Sequence, residues 1–186
     1  MMEQGRLQIM KQGDAYSSPW PLRTRFKVLF WNIAWLFLFR PTPKHFYHWR
    51  LFLLRLFGCK MSGRPYVAPS AVIKMPWNLK MEDHACLGPQ SEVYNLGKVT
   101  LRARCTISQQ AYLCAGTHDF TDTRLPLVVG TIEIGKDAFI GARAFILPAV
   151  SVGEGVVIGA CSVVTRDMPA WTICAGNPCK PLRLRA

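Results

Sequence analysis

Paired metal-binding cysteines are missing from this chain. It has seven cysteines, and no two of them stand in a Cys-x-x-Cys pair, which argues against a zinc ribbon or a thioredoxin-like site. They read as free thiols of a reducing compartment, and Cys86, Cys105, Cys114 and Cys161 fall where small buried residues are expected. Acidic residues are scarce. There are 11 against 23 lysines and arginines, a formal charge of +12. Such a chain should meet something anionic, whether nucleic acid, a membrane surface or a phosphorylated small molecule. The charge is scattered and no recognition motif accompanies it, so nucleic acid is not the expected partner. A spanning helix needs about 18 apolar residues; the run from Val28 to Phe39 is shorter and contains Asn32. The opening stretch "MMEQGRLQIMKQGDAYSSPW" lacks an apolar h-region, so no secretory signal is expected, and residues 1–22 are expected to form a flexible arm.

What is present falls into two further parts. Residues 23–62 are apolar and basic, and "PTP" at Pro41 to Pro43 divides them into two expected helices. Arg23, Arg25, Lys27, Arg40, Lys44, Arg50 and Arg55 flank them, and Trp31, Trp35 and Trp49 suit a boundary between water and acyl chains. This segment reads either as a hairpin lying on a membrane or as a helical cap on the next domain.

Residues 63–186 repeat with a period of six. Ile134, Ile140, Ile146, Val152, Ile158 and Val164 each open a hexad. The fifth position is small or β-branched (Ala138, Ala144, Val150, Val156, Ser162). The second is often glycine (Gly135, Gly141, Gly153, Gly159), read as easing the turn. Upstream the series Val67, Ile73, Met81, Leu87, Val93, Leu101, Ile107, Leu113 persists with two eight-residue steps, read as corner bulges. An even period preserves strand alternation, and three hexads make one turn of a triangular coil. The expected fold is mainly β, a coil of short parallel strands. From Leu113 to Ile134 the spacing is 21 residues, read as one coil of 18 with three extra. His118, in "LCAGTHDFTD", stands at the start of that loop, where a rigid scaffold often carries function.

The hexads, the "THDF" loop and the ending "GACSVVTRDMPAWTICAGNPCKPLRLR" resemble the hexapeptide-repeat acyltransferases. The stretches "LFWNIAWLFLFRPTPKHFYHWRLFLLRLFGCKM" and "PWNLKMEDHACLGPQSEVYNLGKVTL" narrow the resemblance to the colanic-acid-biosynthesis acetyltransferases, relatives of the maltose and galactoside O-acetyltransferases. The resemblance implies a left-handed parallel β-helix, a homotrimer and acetyl-CoA as co-substrate, with no metal. It implies His118 as general base and the backbone N–H of Ala142 as donor to the oxyanion. An imidazole can take the proton of an attacking alcohol near neutral pH. The resemblance also implies CoA contacts at Phe139, Gly141, Ala142, Ala160, Thr165 and Arg166, with Pro178, Lys180 and Arg183 toward the phosphates. Thirty residues before the histidine, where relatives carry an acceptor-binding asparagine, this chain has Gly88; Tyr94 and Asn95 are the nearest polar pair that could substitute.

The function expected is therefore O-acetyl transfer to a sugar hydroxyl in surface-glycan biosynthesis, on a saccharide or lipid-linked saccharide. The location expected is cytoplasmic, with peripheral contact to the inner membrane. A zinc hydratase on the same helix would need three convergent histidines, and only His84 and His118 lie in the repeat. The remaining alternative is a non-catalytic scaffold or membrane-associated protein on an acyltransferase fold.

Overall fold

The computed structural model describes residues 6–12 and 17–186. The chain from Lys60 to Gly176 winds into a triangular parallel β-helix, with five complete coils and the start of a sixth among the described residues. The first face carries Lys60–Met61, Leu79–Met81, Val99–Leu101, Ile132–Ile134 and Ser151–Val152. The second carries Tyr66–Val67, Cys86–Leu87, Thr106–Ile107, Phe139–Ile140, Val157–Ile158 and Thr172–Gly176. The third carries Val72–Ile73, Glu92–Tyr94, Tyr112–Cys114, Phe145–Ile146 and Val163–Val164. Ile134, Ile140 and Ile146 pair in register with Val152, Ile158 and Val164 of the next coil, and all six point into the buried core. Burying one such side chain contributes about 1.5–3 kcal/mol.

The turns use a different position from the one the glycines suggested. His84, Gln90, Arg104, Gln110, Asp137, Arg143 and Cys161 adopt positive φ, each three residues past an inward aliphatic side chain. The second-position glycines serve close packing instead. A Cβ on Gly141 would lie 2.6 Å from the amide nitrogen of Ala160 in the next coil, and one on Gly135 would lie 2.5 Å from the backbone of Gly153. Cys161, expected to be buried, is exposed on such a turn.

All three irregular steps fall on one corner, between the third and first faces. Ile73 to Met81 passes through a tight turn at Pro76–Asn78, and Val93 to Leu101 passes through Asn95 to Lys98. Leu113 to Ile134 carries the large loop. This last step is one side of the triangle, because Leu113 pairs with Ile146 and Ile134 with Leu101. It takes 21 residues where regular coils take six. The loop is therefore a long excursion and not a coil with three residues added. It folds as an antiparallel pair, Gly116–His118 with Leu127–Gly130.

Part of the arm expected to be loose is also a strand. Leu7–Ile9 pairs antiparallel with Leu127–Gly130, and Arg6 donates to Asp167 at 2.7 Å. Residues 1–5 and 13–16 of that arm lie outside the described residues.

The N-terminal helices, α1 (Leu22–Ala34, continued by a π-helical turn Trp35–Phe39) and α2 (Tyr47–Leu56), close the bottom of the prism. Stacked coils exchange backbone bonds in both directions: Gly153 N–H donates up to Met168 O, and Met168 N–H donates down to Ser151 O. The lowest coil therefore presents carbonyls with no coil beneath them, and buried backbone acceptors need donors. Trp31 Nε1 donates to Ile73 O at 2.6 Å, Trp35 Nε1 to Ala71 O at 2.9 Å and Arg50 Nε to Val67 O at 2.9 Å. Trp31 and Arg50 are fully buried. This corrects the sequence reading of Trp31 and Trp35 as membrane-boundary residues and of Arg50 as a headgroup contact; they cap the sheet edge. Trp49 alone of the three tryptophans is on the outside, 40 % exposed.

Candidate active site

The thickened corner builds a site. Met75, Leu96, Leu127 and Val129 form a small apolar cluster beneath the loop, separate from the main core, with Trp20, Val28 and Tyr94 packed against it. Above it lies a cavity of about 400 Å³ whose wall includes His118, Tyr94, Lys74, Trp20, Arg25 and Gln12.

His118 is exposed at the end of its strand, and its Nδ1 lies 2.7 Å from the carbonyl oxygen of Leu125. A carbonyl can only accept, so Nδ1 carries a proton, and in the neutral ring the lone pair is on Nε2. Leu125 is held in a left-handed conformation, φ 50°. Its N–H donates to Asp122 O at 2.9 Å. Asp122 in turn is gripped by the guanidinium and the amide N–H of Arg124, which hold its carboxyl down to about 2. Asp119 does not orient the histidine. Its carboxylate accepts from the hydroxyl and the amide of Thr121, which hold it below the usual range.

The structure takes Asn95 out of any acceptor site. It is fully buried; its Oδ1 accepts from Met75 N at 2.8 Å and its Nδ2 donates to Met75 O at 2.6 Å. The side-chain amide ties two successive coils together at the thickened corner. Tyr94 does face the cavity, and burial raises its phenol above the ordinary range. Gly88 sits elsewhere, on the corner between the second and third faces, where a Cβ would lie 2.8 Å from Ile107 O.

That second corner gathers most of the remaining predicted residues. Gly141 and Ala142 turn it in the fourth coil, Ala160 in the fifth, and Pro178 in the terminal hairpin of Thr172–Gly176 with Cys179–Leu184. Gly141 N donates to Ile158 O and Arg143 N to Gln109 O, while the amide of Ala142 has no acceptor among the described residues. Phe139 lies on the second face, 42 % exposed. Lys180 and Arg183 are exposed on the last strand. Thr165 and Arg166 are exposed on the same corner as the histidine loop. The predicted residues thus divide between two corners of one prism. His118, Tyr94, Thr165 and Arg166 are on one; Gly88, Gly141, Ala142, Ala160 and Pro178 are on the other.

Sequence reasoning missed Trp20, Arg25, Lys74 and Gln12. A signal for their corner was present: Ile73, Val93 and Leu113, which open the three irregular steps, are spaced by 20 residues. That regularity stacks the insertions on one edge.

The chain is 38% identical over 159 residues to "Putative colanic acid biosynthesis acetyltransferase WcaF" of Escherichia coli (strain K12), across 86% of this chain and 87% of that one. Residues 131–166 match the family described as Bacterial transferase hexapeptide (six repeats). The chain belongs to the hexapeptide-repeat acetyltransferases. Two solved structures share the fold of this acetyltransferase. One is a hexapeptide-repeat acetyltransferase of Vibrio cholerae O1 biovar eltor complexed with acetyl-CoA, with TM-score 0.81, 18% identity, and 95% and 94% of the two chains covered. The other is a galactoside acetyltransferase in complex with coenzyme A, with TM-score 0.77, 21% identity, and 91% and 86% covered. Among the described residues no helix is long and apolar enough to cross a membrane.

Proposed function

We infer that this acetyltransferase moves an acetyl group from acetyl-CoA to a hydroxyl of a saccharide or lipid-linked saccharide, in surface-glycan biosynthesis and at the inner face of a membrane. The carrying observation is the Leu125 carbonyl on His118 Nδ1, which leaves Nε2 free to act as base on a residue that lines the cavity of about 400 Å³. Nε2 removes the proton as the acceptor oxygen attacks the thioester carbonyl, and it returns that proton to the departing CoA thiolate. The C–O bond of the ester forms, the C–S bond breaks, and no covalent enzyme intermediate is required. General-base assistance of this kind is worth about 10²- to 10⁴-fold.

Ala142 supports the other half of the reaction. Its unpaired N–H suits the negative charge that develops on the carbonyl oxygen. Its column of small residues, Gly141, Ala142 and Ala160, leaves room for a thin pantetheine arm. Lys180 and Arg183 offer charge to the phosphates. Because His118 and Ala142 occupy different corners of one prism, a shared site calls for two chains, and a homotrimer with sites between neighbours meets that need. Trp20 and Tyr94 offer flat apolar surfaces to a pyranose in the cavity beside the base.

The test is thiol release from acetyl-CoA across a panel of sugars and lipid-linked sugars. Acceptor-dependent release supports this reading. Release that no saccharide stimulates, with acetyl-CoA bound, would contradict it.

A further inference from the structure

The positive charge of this protein is not spread evenly. Between Asp14 and Glu82 the sequence has no acidic residue, yet it holds eleven of the 23 lysines and arginines. The remaining twelve cations nearly balance the eleven acids, so almost the whole charge of +12 resides in the helical cap and the lowest coil.

The same cap exposes an apolar surface. Its inner side is spent on the prism, through Trp31, Phe39, Leu51 and Leu54. Its outer side is not. Phe26 is 56 % exposed, Phe30 60 %, Phe37 67 %, Phe46 56 %, Phe52 52 % and Leu56 67 %. These residues lie on both helices and on the turn that joins them. Exposed apolar side chains scattered singly need no explanation, but six large ones on one helical pair mark an interaction surface. Arg23, Lys27, Arg40, Lys44 and Arg55 are exposed around it.

We propose that the outer face of the helical cap is a docking surface for an anionic lipid bilayer, with the phenylalanines entering the acyl boundary and the surrounding cations meeting the headgroups. The lack of acids in the cap selects this occupant; the carboxylate of Glu92, in the wall of a cavity shared with Asn32 and Leu36, is half-buried at its side. A second copy of the cap would bring cation against cation with no carboxylate to pair. A protein partner with an acidic rim would satisfy the charge, but it is the alternative that the test separates. The cavity beside His118 is walled in part by Arg25 and Val28 of α1, so docking through α1 would hold that cavity near the membrane surface. The surface itself is argued from exposure and charge, and it stands whether or not His118 is the base.

Vesicle flotation of the full chain tests it. The wild type should float with phosphatidylcholine vesicles containing phosphatidylglycerol, several-fold less with pure phosphatidylcholine, and less in high salt. The triple variant Phe30→Ser, Phe37→Ser, Phe52→Ser should stay at the bottom with an unchanged melting temperature, since all three side chains are exposed. The double variant Lys44→Gln, Arg55→Gln should float more weakly with anionic vesicles and no differently with neutral ones. A wild type that does not float with anionic vesicles would overturn the proposal, as would a triple variant that floats like the wild type. Light scattering without lipid supplies a further arm: an assembly larger than that of the triple variant would assign the face to protein contact instead.

Discussion

The corner between the second and third faces repeats almost unchanged from coil to coil, whereas the corner between the third and first faces is different in each of the first four. On the regular corner Gly88 and Gly141 keep successive coils in backbone contact, and the outside carries Ala142 and Ala160 with a ladder of Gln90, Gln110 and Arg143 beside them. On the irregular corner the chain is diverted at Pro76–Asn78, again at Asn95, and at length between Gly116–His118 and Leu127–Gly130. In the proposed function the first corner takes the thin arm of CoA beside the small side chains of Ala142 and Ala160. The second gathers a histidine, a carbonyl that orients it and a cavity wall, and in the proposed function it does the acid–base chemistry. On the proposed function, the repeat supplies rigidity and departures from the repeat supply the chemistry.

The largest expected effect falls on the irregular corner. His118→Ala should lower turnover by at least about 10²-fold with the melting temperature unchanged, because the side chain is exposed and bonds to one loop carbonyl among the described residues. Near-normal steady-state turnover would move the base elsewhere and dissolve the contrast between the corners.

Asn95→Ala separates structure from chemistry on that same corner. It strands the amide and carbonyl of Met75 in the interior, which should cost about 2–4 kcal/mol in denaturant unfolding. The ratio of the KM values for acceptor and acetyl-CoA should not change. A large rise in the acceptor KM at wild-type stability would restore Asn95 as a binding residue.

A smaller effect is expected from Asp122→Ala, which frees Arg124 and loosens the turn that aims Leu125 O at His118. Turnover should fall by less than about tenfold, with KM for acetyl-CoA unchanged. The Asp122 carboxyl is depressed to about 2. Its contribution is therefore complete above the ordinary carboxylate range and is lost only as pH falls toward that value. The ratio of wild-type to variant rates should accordingly be flat from roughly pH 5 to 9. A ratio that changes within that window would mean the Asp122 contact acts through another titrating group.

Most of the regular corner was legible in the sequence. Six aliphatic residues at strict six-residue spacing leave few folds available, and the small fifth-position residues follow from the tight angle of the prism. The glycines were legible as necessary but were assigned the wrong reason, because close approach between coils is a long-range fact and turn chemistry is a local one. His118 was visible as a break in the repeat. Its partner was not, since the Leu125 carbonyl belongs to a backbone conformation that no side chain announces. Asn95 was misread because a polar residue near a predicted site looks like a ligand, whereas here its amide links two coils that are 20 residues apart in sequence. Trp31, Trp35 and Arg50 were misread for the same reason, since the carbonyls they cap become neighbours only once the first coil has formed.

The central claim is that one chain's irregular corner works on another chain's regular corner. Trimers mixed from two inactive chains test it most directly. His118→Ala removes the base, and Ala160→Trp, at an exposed position, fills the groove on the regular corner. Co-expressed with different tags and purified through both, each mixed trimer would hold one intact site of three, formed between an Ala160→Trp chain that supplies His118 and a His118→Ala chain that supplies the groove. The expected result is about one third of wild-type thiol release, from two parents that each show almost none. Mixed trimers as inactive as their parents would contradict the account, because base and groove would then have to come from the same chain.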